Sequence, residues 1–407
     1  MNPSTSHSTW FNEARYGLFI HWGAYSVPAR GEWIMNRELV PPAEYEAKYI
    51  ANFKAEKYDP ADWVAKAKRW GMRYAVLTAR HHDGFALWDS KANPWNAANL
   101  GPKRDLVAPY VEAVRAGGLK VGLYYSPANW SHPDYPGPRF RDWPGESDWK
   151  DEDARRRFIA YYRAELRELL TNYGKIDYLW FDGCIPANID GAGTLAMVRE
   201  LQPGILVNNR LAEPFDVKNS EQIVNPPKDD IDWEACMTLN TNWGYYAGDR
   251  RWKSPVDVID LLLQCAKDGG NLLLNVGPRA DGTIPEESVS ILDQVGAWLE
   301  RNREAITRSE RHRFPWSIVA RPVTMRGNRL YLGFLLDPCG ECCWGELSNR
   351  VLRAWHLDDG SPVSFRQEGD RLFLEDVRYA PPARIVVLEV EGAPEPIVPE
   401  TNFWIPN

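Results

Sequence analysis

The run Ile176-Asp-Tyr-Leu-Trp-Phe-Asp-Gly183 constrains the fold of this chain more than any other stretch. A short apolar segment rich in aromatic and β-branched side chains reads as a buried strand. It ends on a carboxylate, Asp182, which is costly to desolvate unless it has partners or a task. The same arrangement recurs along the chain. Gly17-Leu-Phe-Ile-His21 ends in histidine, and Tyr74-Ala-Val-Leu-Thr-Ala-Arg-His-His-Asp83 ends in a polar cluster. Lys120-Val-Gly-Leu-Tyr-Tyr-Ser126 ends in tyrosine and serine, and Ile205-Leu-Val-Asn-Asn-Arg210 ends in arginine. Apolar strands whose carboxyl ends all turn polar describe the active face of a parallel α/β barrel.

The intervening segments have helical period and helix caps. Asp59-Pro60 opens a helix that Gly71 closes, and Asp105 to Gly117 and Ser254-Pro255 to Gly269 repeat the device. Glu152–Gly174, Thr194–Gly204 and Pro285–Ile306 read as further helices. Strands are also expected over Glu234–Asn240 and Asn271–Gly277. Alternation of strand and helix favours a parallel sheet, and no Gly-rich phosphate turn follows the first strand as a doubly wound sheet would require. The fold class is therefore α/β, a (β/α)8-like TIM-type barrel over residues 1–308. Beyond it, short strands separated by Gly327-Asn328 and Glu368-Gly369-Asp370 predict a small antiparallel β-sandwich over 309–392. A Pro-rich tail, 393–407, is expected to be extended.

With 407 residues, 44% hydrophobic and 26% charged, the chain has room for one large and one small domain. A net charge of −8 without a basic block argues against nucleic acid and anionic membrane as partners. No apolar run approaches the ~18 residues of a membrane-spanning helix. The stretch Met1 to Trp10 has no apolar signal-peptide core, so a cytoplasmic location with reduced thiols is the expectation. Cys339, Cys342 and Cys343 crowd together but lack a second ligand pair for zinc, and no other metal or cofactor motif is present. Adjacent His81 and His82, if on a strand, would diverge and could not share an ion. Nineteen tryptophans and eighteen tyrosines are many for this length. Aromatic faces suit the C–H faces of sugar rings, although a large core accounts for a share of them.

In a barrel, His21, His81, His82, Tyr125, Asp182, Arg210 and Asn240 converge on one pocket, joined by Glu32-Trp33 from the loop after the first strand. Such a lining suits a neutral polyol. Phe19-Ile-His-Trp-Gly23, Gly31-Glu-Trp33, His81-His-Asp-Gly-Phe85, Tyr124-Tyr-Ser126, Trp180-Phe-Asp-Gly183, Asn208-Asn-Arg210 and Asn271-Leu-Leu-Leu-Asn-Val-Gly-Pro278 occur in that order. Together they resemble the α-L-fucosidases of glycoside hydrolase family 29, over roughly residues 10–305. The resemblance implies a retaining, exo-acting, cofactor-free fucosidase acting on fucosylated oligosaccharides, with Asp182 as nucleophile. It also implies sugar contacts from His21, Glu32, Trp33, His81, His82, Tyr125, Trp180, Arg210 and Trp243. A second retaining exo-glycosidase activity, such as α-galactosidase, or a silent fucose-binding lectin are the rival readings. An apolar contact for the fucose methyl from Trp33, Trp180 or Phe85 would discriminate among them.

Retention also needs a carboxylic acid about 5–5.5 Å from the nucleophile. Glu32, Glu221, Asp232 and Glu234 compete for that role. Glu221 is preferred, since it is expected in the loop after the Asn-Asn-Arg strand, where relatives in this family keep their acid. Glu234 is second, because at the amino end of its strand it would sit on the far face. Two departures from the family pattern stand out. Arg80 occupies a position where lysine is common, and Ile34 one where an aromatic is often seen.

Overall fold

The computed structural model describes residues 9–136, 149–183, 185–312, 314, 320–345 and 347–397. One sheet holds eight strands: β1 (Tyr16–Ile20), β2 (Tyr74–Arg80), β3 (Lys120–Tyr125), β4 (Tyr178–Phe181), β5 (Leu206–Val207), β6 (Val217–Glu221), β7 (Asp232–Thr238) and β8 (Asn271–Val276). Their spatial order is β5-β4-β3-β2-β1-β8-β7-β6. A parallel bridge between Asn208 and Val217 joins the two ends of that order, so the sheet closes. The expected barrel is therefore present.

Nine helices are described: α1 (Thr9–Ala14), α2 (Ile34–Arg37), α3 (Pro42–Lys48), α4 (Pro60–Arg69), α5 (Val107–Ala116), α6 (Glu152–Thr171), α7 (Gly191–Leu201), α8 (Pro255–Lys267) and α9 (Glu286–Asn302). Their starts follow the sequence signals. Asp59 accepts hydrogen bonds from the N–H groups of Ala61 and Asp62, with Pro60 at the first helical position. Ser254 and Asp257 form a reciprocal capping box at α8. Trp22, Trp63 and Trp88 are buried core residues. Their indole N–H groups donate to Arg279 O, Gly282 O and Glu168 Oε2, each at 2.8 Å, so these tryptophans serve packing.

The barrel is filled from the bottom by α1. Phe11 packs on Tyr74 and Tyr178, which open β2 and β4, with ring centroids 5.9 Å apart in both pairs. A β-carbon at Gly17 would fall 2.2 Å from the Tyr74 ring, so glycine is what admits that tyrosine to the interior. Tyr74 and Tyr178 then donate hydrogen bonds of 2.7 and 2.8 Å to Glu234, which is fully buried.

Two sequence expectations are corrected. β6 was not foreseen, and Glu221 is the last residue of that strand rather than a loop residue. Its sequence, Val-Lys-Asn-Ser-Glu, carries almost no apolar signal because its inward Asn219 faces a buried carboxylate. β7 begins at Asp232, two residues earlier than expected, which moves Glu234 from the strand's amino end into the barrel interior.

The remaining strands are β9 (Val323–Arg326), β10 (Arg329–Phe334), β11 (Cys342–Trp344), β12 (Val351–His356), β13 (Phe365–Glu368), β14 (Arg371–Leu374) and β15 (Arg384–Val390). They form a four-stranded sheet, β12-β15-β10-β9, and a three-stranded sheet, β11-β14-β13. Leu330, Leu332, Val386 and Leu388 of the first share one core with Cys342, Trp344, Leu372 and Leu374 of the second. By packing, the chain divides into two compact units, Met1–Trp252 with Leu273–Ser290, and Lys253–Leu272 with Ile291–Asn407. This differs from a boundary at residue 308, since α8 and most of α9 group with the sandwich. The Trp298 indole, for instance, donates to Ala383 O at 2.8 Å. Of the Pro-rich tail, Pro396 bridges Leu347, and 398–407 lie outside the described residues. Among the described residues no helix is long and apolar enough to cross a membrane.

Candidate active site

Alternate residues of a strand share a face. Register carries the inward face around the barrel: Phe19 pairs with Val76, Val76 with Gly122, and Tyr124 with Trp180. Two residues beyond Phe19, Trp180 and Asn219 stand His21, Asp182 and Glu221, at the carboxyl ends of their strands. Parity alone brings them to one end of the barrel.

Asp182 is held on both oxygens. Oδ2 accepts from the Tyr124 hydroxyl at 2.5 Å and lies 3.3 Å from His82 Nε2. Oδ1 accepts from the Gly183 N–H at 2.6 Å and from Arg210 Nη1 at 3.2 Å. Burial raises the carboxyl pKa, but His82, Arg210, Tyr124 and Gly183 outweigh it and hold Asp182 below the usual carboxylate range. The other end of the Arg210 fork donates from Nη2 to Glu221 Oε2 at 2.6 Å. One guanidinium therefore joins the two carboxylates, and it lies over the Trp180 ring at 5.1 Å.

The histidines are neutral hydrogen-bonding groups. Burial pushes His21 and His82 down to about 4 and His81 well below its ordinary value. His82 is therefore uncharged at neutral pH, and the standing positive charge beside Asp182 is that of Arg210. The carboxylate requires a proton on His82 Nε2, so Nδ1 accepts from Ser126 Oγ at 2.5 Å. Asn275 Nδ2 donates to Trp243 O at 2.7 Å, leaving its Oδ1, 2.7 Å away, to accept from His21 Nδ1. His21 Nε2 is thereby left as an acceptor. His81 Nδ1 is buried with no hydrogen-bond partner among the described residues. Glu32, also buried, accepts from the Gly244 N–H at 2.7 Å, and burial raises its pKa. Trp33 packs against His82 and Trp130, while Trp243 packs against His21 and Phe19.

Some expected members stand elsewhere. Tyr125 has the wrong parity: its hydroxyl donates to Glu165 at 2.6 Å, outside the barrel lumen, and Tyr124 takes the inward place. Register with Trp180, the residue two before Asp182, was the signal that would have found it. Glu234 is occupied rather than poised. Besides Tyr74 and Tyr178, it accepts from the Trp180 indole at 2.9 Å and from Asn219 at 2.7 Å. Phe85 packs on Phe53. Arg80 is a buried brace, donating to Ser126 O at 2.5 Å and Ala128 O at 3.0 Å and ion-paired with Glu165 at 3.1 Å. It thus shapes the loop that presents Ser126 to His82.

The family model described as Alpha-L-fucosidase matches residues 2–304. The chain belongs to the alpha-L-fucosidase family. It is thus a glycoside hydrolase of that type. Tissue alpha-L-fucosidase of Rattus norvegicus is 34% identical over 342 residues, covering 76% of this chain and 71% of that protein. Alpha-L-fucosidase isoenzyme 1 from Paenibacillus thiaminolyticus matches with a TM-score of 0.87 at 38% identity, covering 95% of this chain and 99% of its own. An alpha-L-fucosidase from Bacteroides thetaiotaomicron, at TM-score 0.84 and 27% identity over 95% of this chain and 96% of its own, was trapped as a covalent intermediate with 2-fluoro-fucosyl fluoride.

His81 and His82 lie beyond the end of β2, so they do not diverge as strand neighbours would, and their ring centroids are 4.3 Å apart. With Asp182 they place ligand atoms within 4.8 Å of one another, which sequence spacing did not suggest. The group does not suit a cation, because the Arg210 guanidinium already bonds Asp182. Prolonged dialysis against a strong chelator should leave activity unchanged. A large loss restored by one divalent ion would refute this.

Tyr124→Phe removes a donor that lowers the Asp182 pKa, so that pKa should rise. Activity that requires the carboxylate is lost as pH falls through it, and the acidic limb of the kcat/KM profile should move to higher pH. A rate loss with an unmoved limb would count against this role for the hydroxyl.

Proposed function

We propose that the pocket hydrolyses terminal α-L-fucosyl bonds by double displacement, with Asp182 as nucleophile and Glu221 as acid and base. Asp182 attacks the anomeric carbon while Glu221 gives its proton to the glycosidic oxygen, and the bond to the aglycone breaks. Glu221 then takes a proton from water, which attacks the same carbon and releases Asp182. Two inversions give retention. The observation that carries this reading is the Arg210 fork, bonded to both carboxylates in a pocket of neutral donors and acceptors.

His21 Nε2, His81, His82 and Glu32 supply the polar contacts that a triol needs. Phe19 packs against both Trp180 and Trp243, and the three offer an apolar wall to the C5 methyl group. Trp33 stands beside His82 as a further aromatic contact. With the hydroxyls so engaged, the fucose must be the terminal residue of its chain. The test is release of nitrophenol from the aryl α-L-fucoside against the α- and β-galactosides. The ordinary D-galactosides are of the opposite enantiomeric series and carry a hydroxymethyl where fucose has a methyl, and comparable turnover of either would overturn the assignment.

A further inference from the structure

The residue that follows Glu221 is conformationally costly. Gln222 has φ +58°, the left-handed region, which L side chains rarely adopt and which glycine would enter freely. It sits where β6 ends. Its backbone N–H donates to Cys236 O at 3.0 Å, the last rung of the ladder with β7. Its side chain then extends that ladder past the point where the backbone leaves it. Nε2 donates to Thr238 Oγ1 at 2.9 Å, and Oε1 accepts from the Thr238 N–H at 3.3 Å. The chain turns away immediately, leaving Ile223 59% exposed. A glycine could make the turn but not the clamp.

We infer that Gln222 is a positioning residue for Glu221: its amide, clamped to Thr238, fixes the left-handed turn that aims the acid at the leaving oxygen. The inference rests on the assignment of Glu221 as acid. Arg210 holds the Glu221 carboxylate from the pocket side, but that contact fixes only the tip of a side chain with three rotatable bonds. The clamp fixes its base. Proton donation depends on placing the acid within hydrogen-bond reach of the leaving oxygen. Loosening the base should therefore harm substrates in proportion to their need for protonation.

The experiment measures kcat/KM for dinitrophenyl, nitrophenyl and phenyl α-L-fucosides and a fucosylated disaccharide. Wild type is compared with Gln222→Gly, which keeps the turn and loses the clamp, and with Thr238→Val, which removes the hydroxyl at the other end. Glu221→Ala is run alongside. Both clamp variants should lose about tenfold on the phenyl fucoside and the disaccharide and under about twofold on the dinitrophenyl fucoside, a steeper leaving-group dependence. A merely structural role would lower all four alike, and a loss of equal size across the series overturns the inference, as does no loss. Because Gln222 is exposed, its replacement leaves the core intact. If Thr238→Val fails to fold, Gln222→Gly decides alone. If Glu221→Ala itself shows no leaving-group dependence, the acid assignment fails. If it does while the clamp variants do not, only the role of Gln222 falls.

Discussion

Asp182→Gly should lower kcat by roughly 10^4 or more while leaving the fold intact. The side chain lies at a strand end with part of its surface open to the pocket, so its loss removes partners for Tyr124, His82 and Arg210 without opening the core. Azide should enter the vacated space and attack the anomeric carbon from that face. The product is then the β-fucosyl azide, opposite in configuration to the substrate. The measurement is the anomeric configuration by NMR. Formation of the α-azide, or retention of near-normal turnover, would place the nucleophile elsewhere.

Glu221→Ala should behave differently. Natural linkages, whose leaving groups need protonation, should slow by about 10²–10⁴. Activated aryl fucosides should be largely spared in the first step, with the covalent intermediate still forming on Asp182. Azide attacking that intermediate should yield the α-fucosyl azide. Product configuration thus separates the two carboxylates without reference to their absolute rates. Glu234 supplies the contrast. Its removal would take away the acceptor shared by two tyrosine hydroxyls, an indole and an amide in the interior, each lost bond costing about 1–3 kcal/mol. Loss of stability without azide rescue is the outcome expected there, and wild-type turnover of an oligosaccharide by Glu221→Ala would refute the assignment of the acid.

The barrel was legible because its strands carry long apolar runs and its helices carry caps and terminal glycines. Asp182, His21 and Arg210 were legible for the same reason, as polar residues ending such runs. Legibility failed where the barrel interior is polar. Val217–Glu221 is a strand whose inward positions are valine, asparagine and glutamate, so a search for apolar alternation passes over it. Glu221 stands out in the sequence for its place after Arg210, while the strand that carries it does not. Tyr124 and Tyr125 are chemically identical and adjacent, and only register with β4 shows which one reaches Asp182. Arg80 stands where lysine is common in the family, and full burial against Glu165 makes it a brace. Charge at a strand end marks a site only when the parity is inward.

The plug at the foot of the barrel has a practical consequence for anyone shortening this protein. Phe11 rests on Tyr74 and Tyr178, these hold Glu234, and Glu234 holds the Trp180 indole on which Arg210 lies. Trimming the amino terminus through Ala14 would remove the first member of that stack. Such a deletion would then be recorded in a truncation series as a catalytic defect, although Phe11 packs on the residues that open β2 and β4, at the opposite end of the strands from Asp182.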